Sequence, residues 1–262
     1  MNLLFIGDIV SRPGRTTVRT LLPSLREEYS VDFVIANAEN LSGGRGVSEE
    51  TLDEMMQAGV DYFTSGDHIF WNEGFEQILN DEGMRVLRPA NLPDDIPGRG
   101  YTVIKTDNFS LGIINLVGHT TEQMDSLSTD PFREVDEILE EMGTGFPIVI
   151  DFHGEYTSEK RALAQYVVGR ASALFGTHTH VGTIDTEIIA ESTGMVTDAG
   201  MVGAVDSVLG VEADIIIAKQ KYPYPQRFEW VKSGRSRFNS VLATISDNGV
   251  CMKIERVDRI NP

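Results

Sequence analysis

An α/β fold is predicted by two features of the chain. Short apolar runs alternate with helix-period segments through its first two thirds, and turn residues close most of the runs. Such alternation implies mainly parallel pairing there, followed by a more antiparallel, β-rich end that forms a second sheet or the far side of the first. A third feature points to where chemistry is placed: Asp8, Glu39, Asp67, His68, His153 and the pair His178 and His180 each follow an apolar run closely. In an open α/β sheet, ligands bind beyond the carboxyl ends of the strands.

The elements can be justified in order. Asn2 to Gly7 reads as a buried strand, and Asp8 opens a turn that includes Pro13-Gly14. Val18, Leu21, Leu22 and Leu25 recur at helical spacing, and Pro23 within them is expected to kink or divide the helix. Phe33 to Ala36 is the second strand; it delivers Asn37-Ala38-Glu39-Asn40 and the glycine-rich turn Ser42 to Gly46, where backbone can approach a ligand. Ser48 caps a helix with Leu52, Met55 and Met56 on one face and Gly59 beyond its end. Tyr62 to Thr64 is a strand that ends at Ser65-Gly66-Asp67-His68, and Arg85 to Leu87 is another short one. Tyr101 to Thr106 and Phe109 to Leu116 form a hairpin about Asp107-Asn108. Asp130-Pro131 starts a helix with Val135, Ile138, Leu139 and Met142 on one face. Pro147 to Ile150 is a buried strand carrying Asp151-Phe152-His153 at its end. A helix from about Ser158, with Leu163, Tyr166 and Val167 on one face, leads into the strand Ala171 to Phe175. Further strands are read at Thr183 to Ala190, Met195 to Thr197, Arg227 to Val231, Phe238 to Ile245 and Val250 to Val257. No repeat or linker divides the chain, so residues 1–262 are expected to form one domain.

A chain of 262 residues with 41% hydrophobic content can bury a full core. The net charge of −18, from 22 basic and 40 acidic residues, opposes nonspecific attraction to nucleic acid or an anionic membrane. A small anionic substrate remains compatible, because a bound cation reverses the local sign. The single cysteine, Cys251, excludes an intrachain disulfide framework and reads as a small buried hydrophobe. The first residues enter a strand-like run without a basic, then apolar, leader, so a cytoplasmic protein is expected. The sequence leaves a homo-oligomer open.

The stretch Gly176-Thr177-His178-Thr179-His180 carries the densest chemistry, since residues two apart on an extended segment point the same way. Five strand ends bear candidate ligands: Asp8, Glu39 with Asn40, Asp67 with His68, His153, and His178 with His180. Each alone has a structural explanation as a turn or core-edge polar residue. Together, on one sheet edge, they predict a metal site. They are too many for a single tetrahedral zinc and suit two ions about 3.5–4 Å apart that share a bridging carboxylate. Imidazole, carboxylate and amide ligands without thiolate suit iron, manganese or zinc. His119 also follows a strand; it offers a substrate contact, with a satisfied surface histidine as the simpler reading.

The blocks Gly7-Asp8, Asn37 to Asn40, Gly66-Asp67-His68, Asp151-Phe152-His153 and Gly176 to His180 resemble the successive motifs of calcineurin-like metallophosphoesterases. With Arg88-Pro89-Ala90-Asn91, Asp151 to Glu155 and Thr197 to Met201, the chain is similar over nearly its whole length to the bacterial YmdB-like phosphodiesterases. The resemblance implies a four-layer α/β/β/α sandwich and a di-iron or dimanganese centre that hydrolyses 2′,3′-cyclic nucleotides and other phosphodiesters. It also implies that Asp8, Asn40 and His180 hold one ion, that Asp67, His153 and His178 hold the second, that Glu39 bridges them, and that His68 is the proton donor. Two departures stand out. Asparagine is usual where this chain has Asp67, so one negative charge is added to the cluster, and Ile69 stands where an acidic partner of the donor histidine is common.

The expected reaction is phosphodiester hydrolysis by a metal-activated water. Two alternatives remain: the same site acting on a phosphomonoester or a nucleic-acid strand, and a weakly active metal-binding regulatory protein. Against a nucleic-acid strand stand the charge and the lack of a basic, aromatic-studded groove legible in the sequence.

Overall fold

The computed structural model describes residues 1–119 and 127–262. Its elements run β1 (Asn2–Ile6), β2 (Asp8–Ile9), α1 (Ser11–Glu28), β3 (Phe33–Asn37), α2 (Glu49–Ala58), β4 (Tyr62–Thr64) and α3 (Phe75–Asn80). Then come β5 (Tyr101–Lys105), β6 (Ser110–Val117), α4 (Pro131–Met142), β7 (Ile148–His153), α5 (Thr157–Tyr166) and β8 (Ala173–Thr177). The remainder is β9 (Glu187–Ile189), β10 (Thr193–Val196), β11 (Met201–Ala204), α6 (Ala213–Lys221), β12 (Ser236–Phe238), β13 (Ser240–Ile245), β14 (Cys251–Arg256) and β15 (Arg259–Asn261).

Side-chain alternation sorts these elements into layers. On β1 and β3, Leu3, Phe5, Phe33 and Ile35 face a second sheet, where they meet Leu111, Ile113, Val149 and Phe175. Their neighbours Leu4, Ile6, Val34 and Ala36 face the other way, under Val18, Leu22 and Leu25 of α1 and Leu52 and Met55 of α2. Ile114, Ile148, Ile150, Phe152 and Leu174 line the outer face of the second sheet, under Val135 and Ile138 of α4 and Leu163 of α5. Helices, sheet, sheet and helices therefore stack as α/β/β/α. Phe5 and Phe175 stack across the middle, with ring centroids 4.4 Å apart and planes within 4°.

The first sheet has the order β14-β13-β1-β3-β4 and the second β5-β6-β7-β8-β10-β9, with a smaller sheet β15-β12-β11-β2 beside them. β1, β3 and β4 are parallel, as are β6, β7, β8 and β10. Parallel pairing was expected within one sheet; it is divided between two. The β-rich end is shared out: β11, β12 and β15 form most of the small sheet, with β11–β12 and β12–β15 antiparallel, β13 and β14 extend the first sheet antiparallel, and β9 and β10 join the second.

Several local expectations hold. Ser48 caps α2 with a Ser48–Thr51 capping box, and Gly59 closes it in the left-handed region at φ 108°. The Asp130 side chain accepts from Phe132 N–H at the start of α4. Cys251 is buried, and burial pushes its thiol up to about 11. Other expectations are corrected. Pro13-Gly14 lies inside the first turn of α1, not in a loop, and of the two outcomes read for Pro23, a kink or a division, the division does not occur. Pro23 and Arg19, whose carbonyl loses its donor, are both exposed, so water can replace the missing bond. Tyr166 is 45% exposed and off the buried face of α5. Arg85 to Leu87 makes one bridge, Phe63 to Val86, and Arg227 to Val231 only a bridge at Trp230. The strand read at Thr183 to Ala190 shrinks to β9.

Candidate metal centre

The inner faces of the strands turn from apolar to polar as they reach their carboxyl ends. Phe33 and Ile35 give way to Asn37, Val149 to Asp151 and His153, and Phe175 to Thr177, each two residues on. The result is a buried polar network at one end of the inter-sheet layer. Asp151 accepts from Asn37 Nδ2 at 2.9 Å, Thr64 Oγ1 at 2.5 Å and Thr177 Oγ1 at 2.7 Å. Thr177 Oγ1 in turn lies 2.9 Å from His153 Nδ1, which turns Nε2 of that ring toward the cluster. Burial raises the Asp151 carboxyl to about 6 despite these donors.

Seven residues singled out in the sequence converge beyond this network, and they come from both sheets. Asp8, Glu39, Asn40 and Asp67 follow strands of the first sheet; His153, His178 and His180 end or follow β7 and β8 of the second. Glu39, Asp67, His153 and His178 each place a ligand atom within 4.8 Å of the others, and so do Asp8, Glu39 and His180. Glu39 belongs to both groups. His153 Nε2 is 2.9 Å from Glu39 Oε2, 3.4 Å from Asp67 Oδ1 and 3.0 Å from His178 Nδ1. Asn40 Oδ1 lies 3.1 Å from His180 Nε2, beside the second group. A β-carbon at Gly66 would run into Glu39 Oε2 and His153 Nε2, so only glycine leaves these two atoms their space.

The residues fit a metal by their unmet bonding capacity. Asp8 Oδ1, Asp67 Oδ1 and His180 Nδ1 are buried without a hydrogen-bond partner. Ions about 2.0–2.2 Å from each ligand hold ligand atoms up to roughly 4.4 Å apart, the spacing of these groups. Charge tells the same story. Burial pushes the Asp8 carboxyl well up. Burial would do the same to Glu39, but His153 and His68 beside it outweigh this and hold it well below the usual range. Burial likewise depresses His153, yet Glu39, Asp67 and Asp8 hold that imidazole well above its ordinary value. The clustered carboxylates thus draw positive charge to their centre. His178 is lowered by burial and by His153, and burial takes His180 down to about 4, which keeps both imidazoles neutral and able to coordinate.

His68 stands at the rim, its side chain 19% exposed. Its Nδ1 lies 3.1 Å from Glu39 Oε1 and 3.5 Å from Asp67 Oδ1, so Glu39 orients it in place of the acidic neighbour that Ile69 replaces. Ile69 itself is fully buried in the core. His119 is half exposed, 2.8 Å from Glu159, and does not line the cavity over the cluster.

Two buried residues given no role by the sequence reading hold the histidine turn. Asp198 accepts from Lys160 Nζ at 2.8 Å, Thr179 N–H at 3.1 Å, Thr179 Oγ1 at 2.8 Å and Gly200 N–H at 2.8 Å. Lys160 Nζ also donates to the Thr177 carbonyl at 2.7 Å. Lys160 falls three residues before Leu163, on the buried face of α5, and that misplaced charge was the available signal. The clamp secures a strained turn: His178 and His180 have φ of 98° and 63°.

Among the described residues, no helix is long and apolar enough to cross a membrane. The model of the YmdB-like protein family matches residues 4–257. A 2′,3′-cyclic-nucleotide 2′-phosphodiesterase of Bacillus subtilis is 41% identical over 260 residues, covering 98% of this chain and 96% of that one. A structure described as a novel phosphatase from Mycoplasma pneumoniae superposes with a TM-score of 0.91 at 29% identity, covering 99% of this chain and 93% of that one. A putative 5′-nucleotidase of Staphylococcus aureus, at 16% identity, shares the fold alone, with a TM-score of 0.60 over 98% of this chain and 54% of that one. With this architecture and a match across nearly its whole length, the chain belongs to the YmdB-like family and has the α/β fold of the metallophosphoesterases.

Proposed function

We propose that the protein is a metal-dependent phosphodiesterase acting on small phosphodiesters, with 2′,3′-cyclic nucleotides as its first substrate class. The observation that carries this reading is the pair of ligand groups sharing Glu39 beneath a cavity of about 680 Å³ that His68 lines. Asp8, Asn40 and His180 would hold one ion and Asp67, His153 and His178 the other, with Glu39 common to both. Iron or manganese is expected, and zinc is compatible with the same ligands. Bound there, two ions would supply Lewis acidity toward the phosphoryl oxygens and a nucleophilic water at neutral pH.

The chain's own residues supply the remainder. Burial lowers the His68 imidazole, but its hydrogen bond to Glu39 and the charges of Glu39 and Asp67 outweigh that and raise it, which favours the protonated form that a proton donor needs. With Nδ1 held by Glu39, Nε2 is left to give its proton to the leaving ribose oxygen. The oxygen of water forms the new bond to phosphorus and gives one proton up to solvent, the bond to one ribose oxygen breaks, and that oxygen takes the proton from His68, which regains one from solvent. The activity named for the Bacillus subtilis relative supports this substrate class.

His68→Ala tests the reading. The variant is expected to keep both metals and to lose roughly 10²–10⁴-fold in turnover of a cyclic nucleotide. It should lose far less on a nitrophenyl phosphodiester, whose leaving group needs no proton. Equal losses on both substrates would make His68 a positioning residue, and loss of a metal would make it a ligand. Faster turnover of a nitrophenyl phosphomonoester by the wild type would favour a phosphomonoesterase.

A further inference from the structure

A second cavity, of about 910 Å³, lies between the turn after β3 and the segment joining β11 to β12. It shares Arg45, Phe228 and Trp230 with the cavity over the ligand cluster, so the two adjoin. The chain has two tryptophans, and both, Trp71 and Trp230, line this space. Trp71 and Tyr224 are 53% and 56% exposed. Cations lie over the rings: Arg45 Cζ is 4.4 Å from the Trp71 centroid, and Lys219 Nζ is 4.9 Å from that of Phe228. No acidic side chain is found among the described residues that line the cavity, although the chain has 40 acidic and 22 basic residues.

Aromatic rings, two of them more than half exposed and two with a cation over a face, in a space without a lining carboxylate among the described residues, match the demands of a nucleobase next to a phosphate. Base–aromatic stacking tolerates any base, and the cations meet the backbone charge. The cavity over the ligand cluster already falls within the roughly 300–1,000 Å³ that house a small ligand, so a mononucleotide does not need the second space. A net charge of −18 works against a long polyanion, and Arg45 and Lys219 can offset only a phosphate or two.

We propose that the aromatic cavity is a stacking subsite for a second nucleoside, and that the preferred substrate is a short oligonucleotide bearing the reactive phosphodiester at its end. This rests on the phosphodiesterase reading above and names its substrate class. The reactive end lies over the ligand cluster, and the neighbouring base lies among Trp71, Phe228 and Tyr224.

The metal-loaded enzyme would be assayed on three substrates: a nitrophenyl phosphodiester, a 2′,3′-cyclic mononucleotide, and a dinucleotide ending in a 2′,3′-cyclic phosphate. The dinucleotide is expected to exceed the mononucleotide in kcat/KM by roughly 5- to 150-fold, the span that one base–aromatic stack gives. Phe228→Ala and Tyr224→Ala should each reduce that ratio, and together reduce it further than either alone. Tyr166→Ala, an exposed tyrosine on α5, should leave the ratio unchanged. Trp230 is avoided because its ring packs on the Gly44 backbone. Both tryptophans line the cavity, so tryptophan emission of the metal-loaded His68→Ala protein should be quenched by the dinucleotide and not by inorganic phosphate. A wild-type ratio near one, or a ratio insensitive to both substitutions, overturns the subsite. If the nitrophenyl diester is still hydrolysed in that event, the phosphodiesterase reading stands without it. If none of the three substrates is hydrolysed, both fall.

Discussion

Asp67 places a buried carboxylate oxygen, without a hydrogen-bond donor, 3.4 Å from His153, 3.5 Å from His68 and 4.0 Å from His178. Asparagine is the residue that the family resemblance leads one to expect there, and the two side chains have nearly the same shape. The difference is one unit of negative charge, worth at most about 4 kcal/mol at 4 Å in a medium of effective dielectric ~20. Asp67→Asn is therefore expected to bind inorganic phosphate at least roughly tenfold more tightly and its metals less tightly. Phosphate inhibition constants and metal titration check this, and unchanged phosphate affinity would show the carboxylate charge to be already cancelled. At this scale the candidate ligands were legible because each follows an apolar run. Asp151, Thr177 and Asp198 stood only inside motif blocks, without a role, and Lys160 in none, because their role lies in contacts between distant segments. The exception is Lys160, whose position on the apolar stripe of α5 marks it as a buried charge.

The turn that carries His178 and His180 is held by Lys160 and Asp198, and Asp185 ties Thr183, just beyond it, to Thr197. Lys160→Met would leave the Asp198 carboxylate buried and unpaired, at an expected cost of about 3–5 kcal/mol in denaturant unfolding. Adding Asp198→Asn should recover part of that loss; no recovery would mean the two do not act as a pair. Asp185 accepts from Thr183 Oγ1 at 2.6 Å, from Arg161 at 2.9 Å, and from the hydroxyl and N–H of Thr197. Burial would raise its carboxyl, but these donors outweigh that and lower it. The native form therefore binds a proton less readily than the unfolded chain does. Its stabilisation is complete above the unfolded value near 3.9 and is lost as the pH falls through the lowered native value. Asp185→Asn should flatten the acid limb of stability against pH and cost about 1 kcal/mol at neutral pH, after allowance for its partial exposure. Elements with one apolar stripe were readable, as in α2 and α4. The helix α6 was not, because none of its residues is buried and its three isoleucines, Ile215 to Ile217, are consecutive.

At the level of the whole molecule, periodicity could not show that the parallel strands divide between two sheets. A strand covered on both faces reads as a continuous apolar run, whichever sheet it joins. The four layers came from the family resemblance, and the three large cores between the layers explain them. Phe5 and Phe175 stand at the seam, three residues before Asp8 and His178 respectively. Phe175→Ala is expected to cost about 3–5 kcal/mol of stability and to weaken metal binding as well, although it touches no proposed ligand. Calorimetry with and without chelator separates the two effects; a loss of stability with metal affinity intact would show that the strand ends keep their spacing without the stack.

The proposed ligand set is divided by chemistry along that seam: carboxylates and the amide follow the first sheet, and imidazoles end or follow strands of the second. Neither sheet alone would supply a complete coordination shell. Ions bound there would act as rivets between two plates, adding about 2.7 kcal/mol per site when free metal stands at a hundred times its dissociation constant. Metal content then gauges the thickness of the sandwich, and a perturbation that merely spreads the sheets should be felt as metal release before any strand unfolds.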